Sequence, residues 1–61
     1  MEVKMDWVSV KDNAFAMLGA FLKAAQQQGY PQADIDSVID DARSGDYGHL
    51  VNVLMRNTVP E

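Results

Sequence analysis

The chain has 61 residues, a mass of 6.8 kDa, a formal net charge of −4 and no cysteine. A chain this short can form one hydrophobic core, and its free energy of unfolding is expected to be small. Because the sequence has no thiols, disulfides and cysteine-rich zinc sites are excluded. Five lysines and arginines stand against nine aspartates and glutamates, which disfavours a surface that tracks nucleic-acid phosphates.

No run approaches the roughly 20 apolar residues of a transmembrane helix. Residues 1–6 also lack the basic and apolar segments of a secretory signal. The sequence therefore predicts one cytoplasmic domain, complete in itself, that binds neither membrane nor nucleic acid.

The first 11 residues predict an extended N-terminal arm. Val3, Met5 and Trp7 alternate with polar residues, and the β-branched content favours a strand. The sequence offers this strand no obvious partner, so the arm must pack on helices or pair with another copy. Trp7 and Val8 add more apolar surface than so small a core needs, and Trp is favoured at interface anchors. Two interpretations stay open: the arm covers its own core, or it forms an interface.

A first helix is predicted over residues 12–28. Asp12 or Asn13 can cap it, no proline or β-branched residue interrupts residues 14–28, and Gly29 follows as the ending residue. At 3.6 residues per turn the apolar side chains share one broad face, which predicts that they are buried. The predicted core residues of this helix are Phe15, Met17, Leu18, Phe21, Leu22 and Ala25.

Two further helices are predicted over residues 31–44 and 46–57. Pro31 suits a helix start, Ser44-Gly45 a helix end, and Asp46 an N-cap. The apolar stripes are Ile35, Val38, Ile39 and Ala42 on the second helix and Tyr47, Leu50, Val51 and Leu54 on the third. Residues 58–61 are predicted to fray. The predicted fold class is all-α, a compact three-helix domain preceded by the extended arm.

The whole net charge lies in residues 34–46, where five aspartates face only Arg43. Some of these aspartates suit helix starts, but Asp40 and Asp41 have no such local role. They form either a solvated face or a surface that steers a basic protein partner. Combined with the arm, the second interpretation gives the predicted partner-binding residues Val3, Met5, Trp7, Val8, Asp36, Asp40 and Asp41.

Catalytic and metal-binding patterns are incomplete. His49 is the only histidine and has no nucleophile at a relay spacing. Aspartates around Ser44-Gly45 faintly resemble a calcium loop, but Ala42 and Val51 stand at ligand positions. The sequence therefore predicts no enzymatic activity, no cofactor and no metal.

Residues 28–55 resemble the ubiquitin-associated domain family of three-helix modules. Gly29-Tyr30 corresponds to the glycine-aromatic loop of that family, and Ile35 and Ile39 correspond to apolar positions of its second helix. The resemblance implies a ubiquitin-associated-like fold that binds ubiquitin or a peptide. The residues that it implies as the binding surface are Gly29, Tyr30, Leu54 and Met55.

Residues 39–55 are also similar to the C-terminal part of small proteins encoded by phages and prophages. That similarity implies an accessory protein that binds and inhibits a host protein. The leading prediction is thus a small acidic interaction module, of phage or mobile-element type, that occludes a protein partner. A ubiquitin or peptide binder and a self-assembling, homo-oligomeric structural protein stay as alternatives.

Overall fold

Three helices and two short strands make up the chain, which a computed structural model describes for residues 1–10 and 12–60. The elements are β1 (Val3–Met5), α1 (Ala14–Gln27), α2 (Gln32–Ala42), α3 (Tyr47–Arg56) and β2 (Thr58–Pro60). The three helices pack against one another, and β1 packs on α1. The three-helix prediction is confirmed, although each helix is one or two residues shorter at each end than its predicted range.

Helix α1 begins and ends at residues whose chemistry sets those limits. The Asn13 side chain accepts a hydrogen bond from the Ala16 backbone N–H at 3.1 Å, which satisfies one free donor of the first turn. Beyond the C-terminal end, Gly29 has a φ of 87°. The Tyr30 N–H donates to the Ala25 carbonyl at 3.1 Å, which completes a Schellman ending. Glycine is favoured here because side chains strain this backbone conformation.

A tight corner joins α2 to α3. The Ser44 hydroxyl donates to the Asp41 carbonyl at 2.6 Å and so ties down the end of α2. The Asp46 side chain accepts from the His49 backbone N–H at 2.9 Å, which makes Asp46 the predicted cap of α3. These local bonds fold the two helices back on each other.

The two chain ends form a small parallel sheet, and this corrects two predictions. Residues 58–60 are not frayed: they form β2, with Val3 opposite Thr58 and Met5 opposite Pro60. The arm therefore has a strand partner within the chain, so the fold is three helices plus a two-stranded sheet rather than purely α. Lys11 and Glu61, the last residues of the predicted arm and tail, lie outside the described residues.

The core is centred on a different side of α1 from the predicted one. Its buried residues are Met17, Phe21 and Ala25, whereas Phe15 is 86% exposed. The prediction that Phe15 is buried is therefore wrong: the core, which includes Val3 and Met5 of β1, lies on the side of α1 that carries Met17 and Phe21. Among the residues whose burial is described, the buried ones are Val3, Met5, Met17, Phe21, Ala25, Ile35, Ala42, Leu50, Val53 and Leu54.

Helix α3 is rotated in a similar way. Val53 is buried, Val51 is half-buried, and Tyr47, predicted to be in the core, is 50% exposed. Val3 and Met5 of β1 fill part of the core. The helices therefore bury fewer of their own aromatic side chains than their periodicity predicted.

Candidate interaction surface

The structure places most of the predicted partner-binding arm inside the molecule. Val3 and Met5 are 0% and 2% exposed, so neither is available to a partner in the folded chain. Trp7 is half-buried, and its indole N–H donates to the Thr58 hydroxyl at 3.0 Å. Only Val8, at 78% exposure, is an open apolar side chain. Of the two interpretations of the arm, this geometry favours the arm that covers its own core.

The side chain of Gln28, the residue that follows α1, also closes the outer edge of β1. The Lys4 backbone N–H donates to Gln28 Oε1 at 2.9 Å, and Gln28 Nε2 donates to the Lys4 carbonyl at 2.8 Å. A carboxamide that makes both bonds replaces a neighbouring strand, which removes the free edge on which strands of other chains pair. The arm is thus held on both sides by residues of its own chain.

An open apolar surface lies on α1 instead. Phe15, Leu18, Gly19 and Leu22 fall within about 100° of one another on a helical wheel, and we call them the open face. Phe15 is almost fully exposed, and Leu18 and Leu22 are half-buried. A Cβ added at Gly19 meets nothing within 4 Å. This surface is therefore accessible along two turns of α1.

A groove of about 360 Å³ continues the open face towards α3. Phe15 and Leu18 form one side of it, and Tyr47 and Leu50 of α3 also line it. Arg43, at the end of α2, is another lining residue. Aromatic rings beside an open apolar groove are typical of sites that take up a partner's side chains.

The acidic residues of α2 fall on two different flanks of that helix. Asp36, Asp40 and Arg43 lie within about 60° of one another on the helical wheel. Asp34 and Asp41 lie on the opposite flank. All four aspartates are exposed. The predicted set Asp36, Asp40 and Asp41 is therefore not one cluster, and we call Asp36 and Asp40 the acidic flank.

The acidic flank borders the open face. At one end of the shared boundary, Gln26 of α1 donates to Gln32 of α2 at 2.9 Å, and Gln32 donates to Asp36 at 2.8 Å. At the other end, Arg43 and Phe15 line the same groove. An apolar stripe and an acidic stripe therefore run side by side.

The polar cluster at the α2–α3 corner has no catalytic geometry. His49 Nε2 lies 2.8 Å from the Asp41 carbonyl, 3.2 Å from Asp41 Oδ1 and 3.4 Å from Ser44 Oγ. A nucleophile relay needs the acid and the hydroxyl on opposite ring nitrogens, whereas here both approach the same nitrogen. The Ser44 proton is also used by the Asp41 carbonyl. These contacts hold the corner together.

Residues 1–10 and 12–60 contain no group of three or more His, Cys, Asp or Glu placed to hold a metal ion. Within the same residues, no helix is both long enough and apolar enough to cross a bilayer.

The residues implied by the ubiquitin-associated resemblance do not form one exposed patch. Gly29 and Met55 are exposed and Tyr30 is half-buried, but Leu54 is 0% exposed and belongs to the core. Comparisons of the chain with protein-family models, curated proteins and solved structures found no match. The ubiquitin-associated and phage resemblances therefore stay predictions.

Sequence reasoning missed the open face because it assigned Phe15 to the core. One signal was present: Phe15 and Phe21 are about 120° apart on a helical wheel, so they cannot both be at the centre of one buried stripe. Met17, Phe21 and Ala25 at i, i+4 and i+8 gave the alternative stripe.

Proposed function

We propose that the protein is a non-enzymatic protein-binding module that acts by covering a surface of its partner. The observation that carries this proposal is the 86% exposure of Phe15 on the open face. Burying a phenylalanine side chain is worth about 1.5–3 kcal/mol. The fold does not use that free energy, so it is available to a complex. Phe, Tyr and Trp side chains contribute a large share of the free energy of protein interfaces.

The proposed anchor differs from the one that the sequence suggested. Trp7 already makes a hydrogen bond to Thr58 and is half-buried, so a partner would gain little from it. Phe15 takes that role, and Asp36 and Asp40 form the acidic flank that borders the open face further along α1. An accessory protein that inhibits a host protein by occlusion would use such a surface, and this is the form of the function that we propose.

The proposal does not use the ubiquitin-associated-like surface. Binding of that kind would need Leu54, which is fully buried, and would be left with Gly29, Tyr30 and Met55. That the three helices form a ubiquitin-associated-like domain stays a separate proposal about the fold. Binding through the open face neither requires that proposal nor supports it.

The test compares Phe15→Ser with Val8→Ser. Both replace an exposed apolar side chain, at 86% and 78% exposure, but only Phe15 lies on the open face. The wild type and both variants are immobilised and used to capture proteins from an extract of the source cells. The Kd of the captured partner is then measured by calorimetry, after circular dichroism has established that each variant is folded.

We expect Phe15→Ser to weaken the complex by about tenfold or more and Val8→Ser to leave it within about twofold. An unchanged Kd for Phe15→Ser would contradict the proposal. A chain that captures only itself, with association lost in Phe15→Ser, would instead support the self-assembling alternative.

A further inference from the structure

We propose that the segment that binds the open face is an amphipathic helix carrying lysines or arginines along one edge. This inference rests on the proposed function, because it names the partner of the same surface. It is carried by the placement of an exposed apolar stripe next to an acidic one.

The shape of the open face suits a helix. Phe15, Leu18 and Leu22 follow one another at i, i+3 and i+7 along α1, and residues at this spacing pack into the matching grooves of a second helix. Gly19 lies among them with open space where its Cβ would be. The partner backbone can therefore approach α1 closely at that point.

The charge beside the open face selects a basic partner. Asp36 and Asp40 are exposed on the flank that borders it. Within the described part of the chain, the one basic side chain within 4.0 Å of a carboxylate is His49, whose Nε2 lies 3.2 Å from Asp41 Oδ1 on the opposite flank of α2. No cation of residues 1–10 or 12–60 pairs with the acidic flank. Asp36 accepts a hydrogen bond from the neutral Gln32 side chain, so the negative charge of both carboxylates stays available to lysine or arginine.

Arg43 gives the partner helix a direction. It lines the groove at the Phe15 end of the open face, whereas Asp36 lies towards the other end, where Gln32 contacts Gln26. A helix carries partial negative charge at its C-terminus. The C-terminal end of the bound helix is therefore favoured near Arg43, with its basic residues beside Asp36 and Asp40.

A second copy of this chain fits the surface less well. Each copy has a net charge of −4, and α1 contributes a single cation, Lys23. Two open faces packed together would bring the acidic flanks of both copies close to each other, and like charges across an interface oppose association. The charge pattern thus favours a foreign basic helix.

The test uses two synthetic peptides, each about 18 residues long because shorter helices are marginal in water. Both have leucines at i, i+3, i+4 and i+7; one has lysine at the remaining positions, and the other has glutamate. Each is labelled and titrated with the full-length protein by fluorescence anisotropy at low and high salt. The peptide of lysine and leucine is the probe, and its acidic twin is the control.

Two double variants distinguish the effect of the acidic flank from the effect of the net charge of the protein. Asp36→Asn with Asp40→Asn removes the flank beside the open face, whereas Asp34→Asn with Asp41→Asn removes the same charge from the opposite side of α2. We expect the first pair to weaken binding of the lysine peptide by about three- to tenfold and to reduce its salt dependence. The second pair should change binding by less than about twofold.

Phe15→Ser completes the design. We expect it to weaken binding of the lysine peptide by about tenfold or more. The basic-helix inference would be overturned if the two aspartate pairs weakened binding of the lysine peptide equally. It would also be overturned if both peptides bound with equal affinity and both depended on Phe15. Neither result would contradict the proposal that the protein is a binding module. Absence of binding by the lysine peptide would also overturn it, and the capture experiment would then judge the proposed function independently.

Discussion

Replacing the two phenylalanines of α1 one at a time tests the orientation of the helix that creates the open face. Phe21 is 0% exposed and Phe15 is 86% exposed, although both are in the same helix. Because a truncated core phenylalanine loses its burial and leaves a cavity, Phe21→Ala should cost about 3–5 kcal/mol. Phe15→Ala should change stability by less than about 0.5 kcal/mol, since it removes no buried contact and alanine is the better helix former.

The small size of the domain limits how large a loss of unfolding free energy can be measured. A domain of this length is expected to have an unfolding free energy of about 3–9 kcal/mol, so Phe21→Ala removes most of it or all of it. The milder Phe21→Leu, expected to cost about 1 kcal/mol, keeps the comparison measurable. Urea unfolding followed by far-ultraviolet circular dichroism and by Trp7 fluorescence gives the free energies.

One result would refute the reasoning. If Phe15→Ala costs more than about 1.5 kcal/mol while Phe21→Leu is neutral, then Phe15 and not Phe21 is the core side chain. Helix α1 would then be rotated relative to the structure. The open face, and the proposals that rest on it, would be lost together.

Two further substitutions test local features. Gly19→Ala should stabilise the protein by about 0.5–1 kcal/mol, because alanine is the better helix residue and its Cβ meets open space; a lower urea midpoint would show that this site is occupied. Gln28→Ala should destabilise it by about 1 kcal/mol and speed hydrogen exchange of the Lys4 amide, because both bonds to the edge of β1 are lost. Unchanged exchange at Lys4 would mean that the side chain does not close this edge.

The helix ends were predictable from sequence because their causes are local. Asn13, Gly29 and Asp46 each act on backbone groups within a few residues, and the structure shows each in its predicted role. Caps of this kind depend on side-chain chemistry and backbone conformation, which a sequence states directly. The existence of three helices followed from the same signals.

The orientation of α1 was not predictable from periodicity alone. Apolar residues surround most of this helix, so several faces qualify as a core, and the choice depends on which other elements pack against it. Here α1 packs against α2, α3 and β1, and β1 adds Val3 and Met5 to the core. The candidate site was missed for the same reason, because the open face is the side of α1 that the core leaves free.

The two-stranded sheet was missed because its strands are short and far apart in sequence. Residues 3–5 pair with residues 58–60, and neither segment has the length of a typical strand. Thr58 and Val59 are β-branched, which was a weak signal for β2. Pairing between the two ends of a chain leaves no pattern in either segment alone.

The most direct test asks whether the folded chain leaves its open face free for a partner. It measures by NMR how strongly a paramagnetic agent in the solvent relaxes the ring protons of Phe15 and of Phe21, at several protein concentrations. The account predicts strong relaxation at Phe15 and weak relaxation at Phe21 throughout the concentration range. A Phe15 ring as protected as that of Phe21 at the lowest concentration would contradict it, because the open face would then be covered by the chain itself.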